Sequence, residues 1–321
     1  MPVELLGRFG KLSCAGLLKL FDIAFKYSTA QGLVLACALN PNRLTSVMQI
    51  RAALATLFFL LAPAVSNATE LKQETLTAWD AYMRAANLQL EERLNNNSPF
   101  LWIDESPERS RRVRQVGFLI SPMGETNPEI VPNGLIHHWI GAMFVANVTI
   151  GDALSVARDY ERYKEFYGPT VINSKLIALN GADYTVSILG LKRVLFETIV
   201  LQSEFQSRCS ESDARRAYCI SYSTRIEEIQ QYGQPNEWKL PPDQGHGYLW
   251  RLYTFSRYEQ RDGGVYVELE VIALSRDSSI RWFVKPVIER VSRNSISIGL
   301  QQTREAISSR HLAQTKIPSF R

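Results

Sequence analysis

The sequence predicts an α+β fold in which an antiparallel sheet of about seven strands is closed by a long C-terminal helix. Three observations carry this prediction. Apolar and polar side chains alternate along several segments between residues 134 and 275, as they do in strands. Asp262-Gly263-Gly264 marks a tight hairpin between two of these segments. From Ile280 to Ile307, apolar side chains recur at helical spacing over a length typical of a long helix.

A helical extension precedes the sheet. Apolar residues recur at helical spacing through residues 70–95, and Asn95-Asn96-Asn97-Ser98-Pro99 ends the pattern. Residues 100–134 mix proline, glycine and charge, and are predicted to form a loop-rich strap. Within this strap, Arg109–Arg114 is expected to be a solvated, flexible connector, with a contact to an anion or a lipid headgroup as the alternative.

The strands and helices of the main domain follow in order. Leu135–Val145 is apolar and extended, and Thr149 is expected to cap a helix that Gly168-Pro169 ends. In the last helix, Pro286 is compatible only with the first turns. Six further strands are predicted between the two helices, at Thr170–Leu179, Tyr184–Leu189, Leu195–Phe205, Tyr218–Ile229, Gly247–Tyr258 and Val265–Ser275.

Three segments within Gly134–Ile307 carry a resemblance to a known family. They are DALSVARDYERYKEFYGPTVINSKLI, VYVELEVIALSRD and SIRWFVKPVIERVSRNSISIGLQQTREAI. In order and spacing they resemble the START-like (SRPBCC) superfamily, which includes the polyketide cyclase/dehydrase and coenzyme-Q-binding-protein branches. The resemblance implies a helix-grip fold, in which a curved sheet surrounds the C-terminal helix. It also implies an apolar cavity for a hydrophobic ligand such as a lipid, quinone or isoprenoid.

The hairpin 247–275 allows the two faces of the sheet to be assigned. Side chains alternate along a strand, and the tight turn places Thr254 and Leu269 on one face and Arg257 on the other. The first face is apolar and is predicted to be the concave side, under the helix. Thr254 and Ser295 would orient a polar end of the ligand there. The candidate lining residues are Trp250, Tyr218, Tyr222, Thr254, Leu269 and Ser295, and the alternative is that they fill a solid core.

No motif of a known catalytic or metal centre occurs in the sequence. His137-His138 could offer a base or a metal ligand, but neighbours on a strand point to opposite faces. Glu227-Glu228, Glu268 and Glu270 are expected to be solvated or paired with arginine, and Arg257 to pair with Glu268 or Glu270 on the convex side. We therefore predict no catalytic residue, no metal site and no cofactor.

Cys209 and Cys219 flank a predicted hairpin turn in the segment SESDARRA. A disulfide requires a register that brings the two residues opposite each other. A two-residue turn at Asp213-Ala214 would instead place Cys209 opposite Tyr218. A disulfide and a pair of free thiols are therefore both open.

Residues 48–68 have the pattern of a secretory signal peptide. Met48 and Arg51 precede the apolar run Ala52–Val65, and Ser66-Asn67-Ala68 supplies the small residues of a cleavage site. We expect translation to start at Met48, with 1–47 an over-called leader, and the exported chain (periplasmic or secreted) to begin near Thr69 without a transmembrane segment. It would comprise the helix and strap 69–133, the main domain 134–310 and the tail 311–321.

The balance of basic and acidic residues argues against a nucleic-acid-binding function. The chain has 36 Lys+Arg and 32 Asp+Glu, of which residues 1–68 hold six and two, so the expected mature chain has 30 of each. A neutral domain lacks the excess of positive charge that is typical of a nucleic-acid-binding protein.

We favour an exported, non-catalytic carrier or sensor of a hydrophobic small molecule or lipid, with no protein partner identified. The alternatives are a cyclase- or hydrolase-like enzyme that uses the same cavity, and an interaction protein with a filled core.

Overall fold

The computed structural model describes residues 69–194, 197–277 and 281–315. The predicted leader and signal peptide (1–68) and the end of the predicted tail (316–321) lie outside the described residues. Within the described ranges, ten antiparallel strands form one large curved sheet, and a long C-terminal helix follows it. The predicted α+β architecture is confirmed.

The N-terminal extension combines helices with short strands. It contains β1 (Thr69–Glu70), α1 (Gln73–Leu94), a 3₁₀ turn (Trp102–Glu105), α2 (Pro107–Val116), β2 (Phe118–Pro122) and β3 (Glu129–Val131). The first part of the main domain contains β4 (Gly134–Ala146), α3 (Ile150–Ala157), a 3₁₀ turn (Tyr160–Arg162), α4 (Tyr163–Tyr167), β5 (Val171–Asn180), β6 (Asp183–Val194), β7 (Glu197–Glu211) and β8 (Arg216–Gln230). The remainder contains β9 (Trp238–Lys239), β10 (Gln244–Gly245), β11 (Arg251–Arg261), β12 (Gly264–Arg276) and α5 (Arg281–Thr315).

The basic segment of the strap is a helix, so the expected flexible connector is wrong. Pro107 occupies the first turn of α2, where its missing N–H costs no hydrogen bond, and Gly117 ends the helix with a φ of +92°. Val113 is fully buried and fastens the helix to the domain. Arg109 is held as well, since its guanidinium lies 4.3 Å from the Trp102 ring centroid, whereas the Arg111 side chain is mostly exposed, as predicted for this segment.

The sheet has the strand order β2-β4-β12-β11-β8-β7-β6-β5, with β3 paired to β4 and β9 paired to β8. The β11–β12 hairpin turns through Asp262 and Gly263, whose φ angles of +55° and +78° suit a two-residue turn. Its register places Arg257 opposite Glu268. The seven long strands β4 to β8, β11 and β12 correspond to the seven that the sequence predicts.

A glycine lets the C-terminal helix approach the concave face closely. A Cβ atom at Gly141 in β4 would lie 2.7 Å from Leu300 Cδ1 and 2.9 Å from Ile296 Cγ2. Leu300 and Ile296 are buried and join Met143 and Val267 in the core of this face. The absence of a side chain at Gly141 therefore sets the distance between α5 and the centre of the sheet.

The convex face of the central strands is covered by the N-terminal extension. Helix α1 buries Trp79 and Met83 against Ile136 and Ile272, and the 3₁₀ turn buries Ile103 against Ile140 in a neighbouring cluster. Strand β4 is thus covered on both sides, and nearly all its side chains are buried. This explains why Leu135–Val145 is almost continuously apolar in the sequence.

A buried ion cluster lies under this extension. Arg257, whose side chain is 1% exposed, bonds Glu268 through Nε at 3.1 Å and Glu270 through Nη2 at 2.7 Å. The predicted cross-strand pairing is confirmed, but the cluster is buried and not solvated. The reason is that the backbone N–H groups of Trp102 and Ile103 donate to Glu268 at 3.0 Å, which brings the strap over the charges.

Hydrogen bonding sets the charge state of this cluster. Burial raises the pKa of Glu270, but hydrogen bonds from His138 and Arg257 outweigh it and lower that pKa to about 2. Glu268 is fully buried, and burial raises its pKa against the opposing effect of Arg257 and the two backbone N–H groups.

We expect Gly141→Val to destabilise the protein by about 1–3 kcal/mol, because the added side chain would collide with Leu300 and Ile296. The matched control is Gly299→Ala on the facing helix, where no atom lies within 4 Å of an added Cβ. That change should stabilise by about 0.5–1 kcal/mol, since alanine favours a helix. Urea unfolding of the two variants measures both effects, and equal effects of the same sign would contradict the packing argument.

We expect Arg257→Met to destabilise the protein by about 3–5 kcal/mol, because it leaves two buried carboxylates without their cation. Arg208→Met is the control, since Arg208 pairs with Asp183 across neighbouring strands of the same sheet but both side chains are exposed. Its cost should be at most about 1 kcal/mol. Denaturant unfolding near pH 7 compares them, and a cost of Arg257→Met as small as that of Arg208→Met would show that the cluster does not hold the strap.

Candidate functional site

A cavity of about 350 Å³ lies between the concave face of the sheet and helices α3, α4 and α5. It is displaced from the centre of the sheet, where Gly141 brings α5 close, toward strands β5 to β8. Its walls are mainly apolar. The strand residues that line it include Val171, Val186, Ile188, Phe205, Leu252, Thr254, Ser256, Val267 and Leu269, and the helical residues include Ala153, Val156, Ala157, Ile298 and Leu300.

Three tyrosines form one wall. Tyr160, Tyr163 and Tyr167 share one side of the short helical segment after α3 and contact one another, with ring centroids 5.0 Å apart in each successive pair. Their hydroxyl groups bond protein atoms: Tyr163 donates to the carbonyl of Ala157 at 2.7 Å, and Tyr167 lies 3.2 Å from Thr303 Oγ1. Burial raises the pKa of all three hydroxyls, so they stay neutral near pH 7.

A chain of hydroxyl groups crosses the buried part of the cavity wall. Tyr160 Oη lies 2.6 Å from Ser207 Oγ, which lies 2.6 Å from Ser221 Oγ. Beside it, Cys209 and Cys219 are joined by a disulfide. The chain turns through residues 213–215, and Ser212 N–H donates to the Arg216 carbonyl at 2.8 Å. Because this turn has an odd number of residues, the register places Cys209 opposite Cys219. The disulfide and the hydroxyl chain together hold β7 to β8.

The mouth of the cavity carries a lysine. Lys192 on β6 donates from Nζ to Ser295 Oγ at 2.8 Å, and the Ser295 hydroxyl donates in turn to the carbonyl of Val291 at 2.7 Å. Lys192 is partly buried and Ser295 is exposed. Burial lowers the pKa of Lys192. Of the described residues that line the cavity, Lys192 is the one with a charged side chain.

Half of the predicted lining residues are in the cavity. Thr254, Leu269 and Ser295 line it, and the predicted face of the β11–β12 hairpin is the concave one. Trp250 is not in the cavity, so its assignment is corrected. It precedes β11, is 5% exposed and packs in the cluster under α1, because the chain enters the strand only at Arg251.

Tyr218 and Tyr222 are also misplaced by the sequence prediction. In the register of β8 with β11, Tyr218 lies opposite Arg257 and Tyr222 opposite Tyr253, so both point to the convex side. Tyr222 stacks on Tyr253 there, with ring centroids 5.9 Å apart. The residues of β8 that reach the cavity are the alternate ones, Cys219 and Ser221.

The adjacent histidines point to opposite faces, as predicted. His138 Nδ1 lies 2.9 Å from the Tyr82 hydroxyl and its Nε2 lies 2.8 Å from Glu270 Oε1, on the convex side. His137 Nε2 lies 2.9 Å from Ser275 Oγ, and burial lowers the pKa of His137 to about 4. Among the described residues, no group of three or more His, Cys, Asp and Glu could hold a metal ion. In the same part of the chain, no helix is long and apolar enough to cross a membrane.

Sequence reasoning missed Lys192 and the tyrosine wall, although both leave a signal. Val186, Ile188 and Lys192 share the inward parity of β6, so alternation extended along that strand would have placed a cation inside. Tyr160, Tyr163 and Tyr167 have the i, i+3, i+7 spacing of one helical face. Neither pattern alone shows that these residues line a cavity, because that conclusion also requires the register of the neighbouring strands.

Comparison with known proteins gives structural similarity only. No protein-family model and no curated protein matches the sequence. The chain is similar to human STARD10, with 13% identity and a TM-score of 0.39 over 67% of this chain and 85% of that one. It is also similar to a STAR-related lipid transfer protein from Xanthomonas axonopodis (15% identity, TM-score 0.36, 62% and 99% covered). A third similar structure is the Zhui aromatase/cyclase from Streptomyces sp. R1128 (12% identity, TM-score 0.37, 55% and 95% covered). At these identities and TM-scores, no ligand or activity can be transferred to this chain.

We expect stability to fall by about 3 kcal/mol as the pH drops from about 6.5 to about 4, owing to His137 alone. In this interval the unfolded chain binds a proton at His137 and the folded chain does not, whereas above pH 6.5 neither does. His137→Gln should remove this part of the pH slope. Urea unfolding of both proteins at pH 7, 6, 5 and 4 measures it. Identical slopes would contradict the burial of a neutral imidazole.

Proposed function

We propose that the protein binds a hydrophobic molecule, such as a lipid, quinone or isoprenoid, in the cavity between the sheet and α5, and that it carries or senses this molecule without catalysis. The observation that supports the proposal is the cavity itself. Its volume of about 350 Å³ is within the range of about 300–1,000 Å³ that is usual for small-molecule sites. Its walls are mainly aliphatic and aromatic, with hydroxyl groups of serine, threonine and tyrosine among them.

The size of the cavity disfavours an interaction protein with a filled core. Protein interiors are close-packed, and voids larger than a water molecule are few. A volume of about 350 Å³ is many times the space that one water molecule needs. The concave face therefore leaves a space that a bound molecule can occupy.

The position of the carboxylates disfavours an enzyme that uses the same cavity. Glu268 and Glu270, which would be the candidate acids and bases if the hairpin faces were inverted, lie on the convex side and are bound to Arg257. The cavity tyrosines are neutral, and Cys219 is in a disulfide. The described lining residues include one charged side chain, Lys192, and neither a carboxylate nor a histidine that could exchange a proton with it. This inventory suits binding better than proton transfer.

We further propose that the chain is exported, with residues 48–68 as its signal peptide. The Cys209–Cys219 disulfide supports this location, because structural disulfides persist mainly in oxidising compartments. Expression of the full sequence followed by intact-mass measurement of the secreted or periplasmic protein tests it. A mature chain beginning near Thr69 is the expected result, and a cytoplasmic protein that retains residues 48–68 would overturn it.

Native mass spectrometry of the protein, purified without detergent, tests ligand binding. We expect a discrete hydrophobic adduct at near one-to-one occupancy, which organic extraction would then identify. A mass without adduct, unchanged after incubation with lipid and quinone mixtures, would overturn the proposed function.

We expect Leu269→Trp to reduce adduct occupancy about tenfold, because Leu269 is only partly buried and its side chain borders the cavity, so the larger ring takes up ligand space. Leu179→Trp is the matched control: Leu179 is 52% exposed on β5 and is not among the lining residues, so occupancy should be unchanged. Circular dichroism confirms that each variant is folded. Full occupancy in folded Leu269→Trp would place the ligand elsewhere.

A further inference from the structure

The cavity combines an apolar interior with one cation at its mouth. Its deep polar groups already bond one another, since Tyr160, Ser207 and Ser221 form a continuous chain. Lys192 differs from them. Its ammonium group has Ser295 Oγ as a hydrogen-bond partner at 2.8 Å, and within the described ranges it has no ion pair. An ammonium group has three donors, so this geometry leaves capacity for a bound acceptor.

The surrounding strands do not supply an anion. Glu197 lies two residues from Ile199, the register partner of Lys192, and would be the expected counter-ion. Its carboxylate instead accepts a hydrogen bond from the Tyr248 hydroxyl at 2.6 Å. The other described residues around the cavity are neutral. A partly buried cation without a protein carboxylate favours an anionic ligand group at that position.

We infer that the ligand is a single-chain amphiphile with an anionic headgroup, a carboxylate or a phosphate, which binds Lys192 and Ser295 at the mouth while its apolar chain occupies the cavity. This inference rests on the proposed function and specifies its ligand class. The volume of the cavity, near the lower end of the usual range, suits one chain better than two. The headgroup lies at the mouth because Lys192 and Ser295 are the more accessible polar residues.

If Lys192 had a purely structural role, a different effect on ligand affinity would be expected. A lysine at a cavity mouth can pack its stem on apolar residues and hold its ammonium in water. In that case the lysine would contribute equally to charged and uncharged ligands. The headgroup preference of binding, and not binding itself, therefore distinguishes the two roles.

The test is isothermal titration calorimetry of the purified protein with three ligands of equal chain length: dodecanoate, dodecyl phosphate and dodecanol. We expect at least one anion to bind about tenfold or more tightly than dodecanol, as a charge-assisted hydrogen bond predicts. Whether dodecanoate or dodecyl phosphate binds more tightly identifies the headgroup as carboxylate or phosphate. Lys192→Met should remove the preference and bring the anion affinities down to that of dodecanol.

Arg193→Met is the matched control. It removes the same charge from the next residue of β6, whose side chain is exposed and does not line the cavity, so the anion preference should persist. Equal affinities for anions and alcohol in the unmodified protein, or a preference that survives Lys192→Met, would overturn the anionic headgroup and leave the cavity as a hydrophobic site. Failure of all three ligands to bind, with no adduct in native mass spectrometry, would overturn both this inference and the proposed function.

Discussion

The arrangement of the whole domain depends on the buried Arg257 and its two carboxylates. Three charges removed from water are tolerated only when nearly every donor and acceptor is paired. Strands β11 and β12 supply the ion pairs, but the remaining hydrogen bonds come from the backbone of Trp102 and Ile103 and from His138, which Tyr82 of α1 orients. The N-terminal extension is therefore part of the domain, because the convex face would otherwise expose a half-satisfied polar cluster.

Covering the convex face has a consequence for the concave one. The central strands β4 and β12 are packed from both sides, with α1 and the strap on one side and α5 on the other. Gly141 brings α5 so close to β4 that no ligand fits between them. The free space lies toward β5 to β8, where the tyrosines of α4 and the open side of α5 form its boundary. Tight packing in one half of the sheet and a cavity in the other are thus two results of one helix placement.

The sequence predicts the elements of this fold better than their mutual contacts. One continuous apolar run, alternation in the other segments and turn chemistry locate all seven long strands. Asp262-Gly263 determines the β11–β12 register and hence the concave face. The β7–β8 connection shows the limit. Its turn at residues 213–215 carries no comparable signal, so the face on which Tyr218 and Tyr222 lie could not be derived from the sequence. The same register pairs Cys209 with Cys219. The position of Trp250 and the burial of the correctly paired Arg257 were missed for another reason: their environment is created by α1 and the strap, more than 140 residues earlier in the chain.

The charged side chains on the two faces of the sheet differ in whether they form ion pairs. On the convex side, every charge of the Arg257 cluster is paired within the protein, and the result is a fixed structure that has no capacity for a further ion. On the concave side, the carboxylate that could have neutralised Lys192 is turned to Tyr248, and the lysine keeps hydrogen-bonding capacity toward the cavity. A lysine paired with Glu197 would repel no ligand class and attract none. Because Lys192 has no ion pair among the described residues, the cavity is not merely apolar: its lining includes one cation that retains hydrogen-bonding capacity.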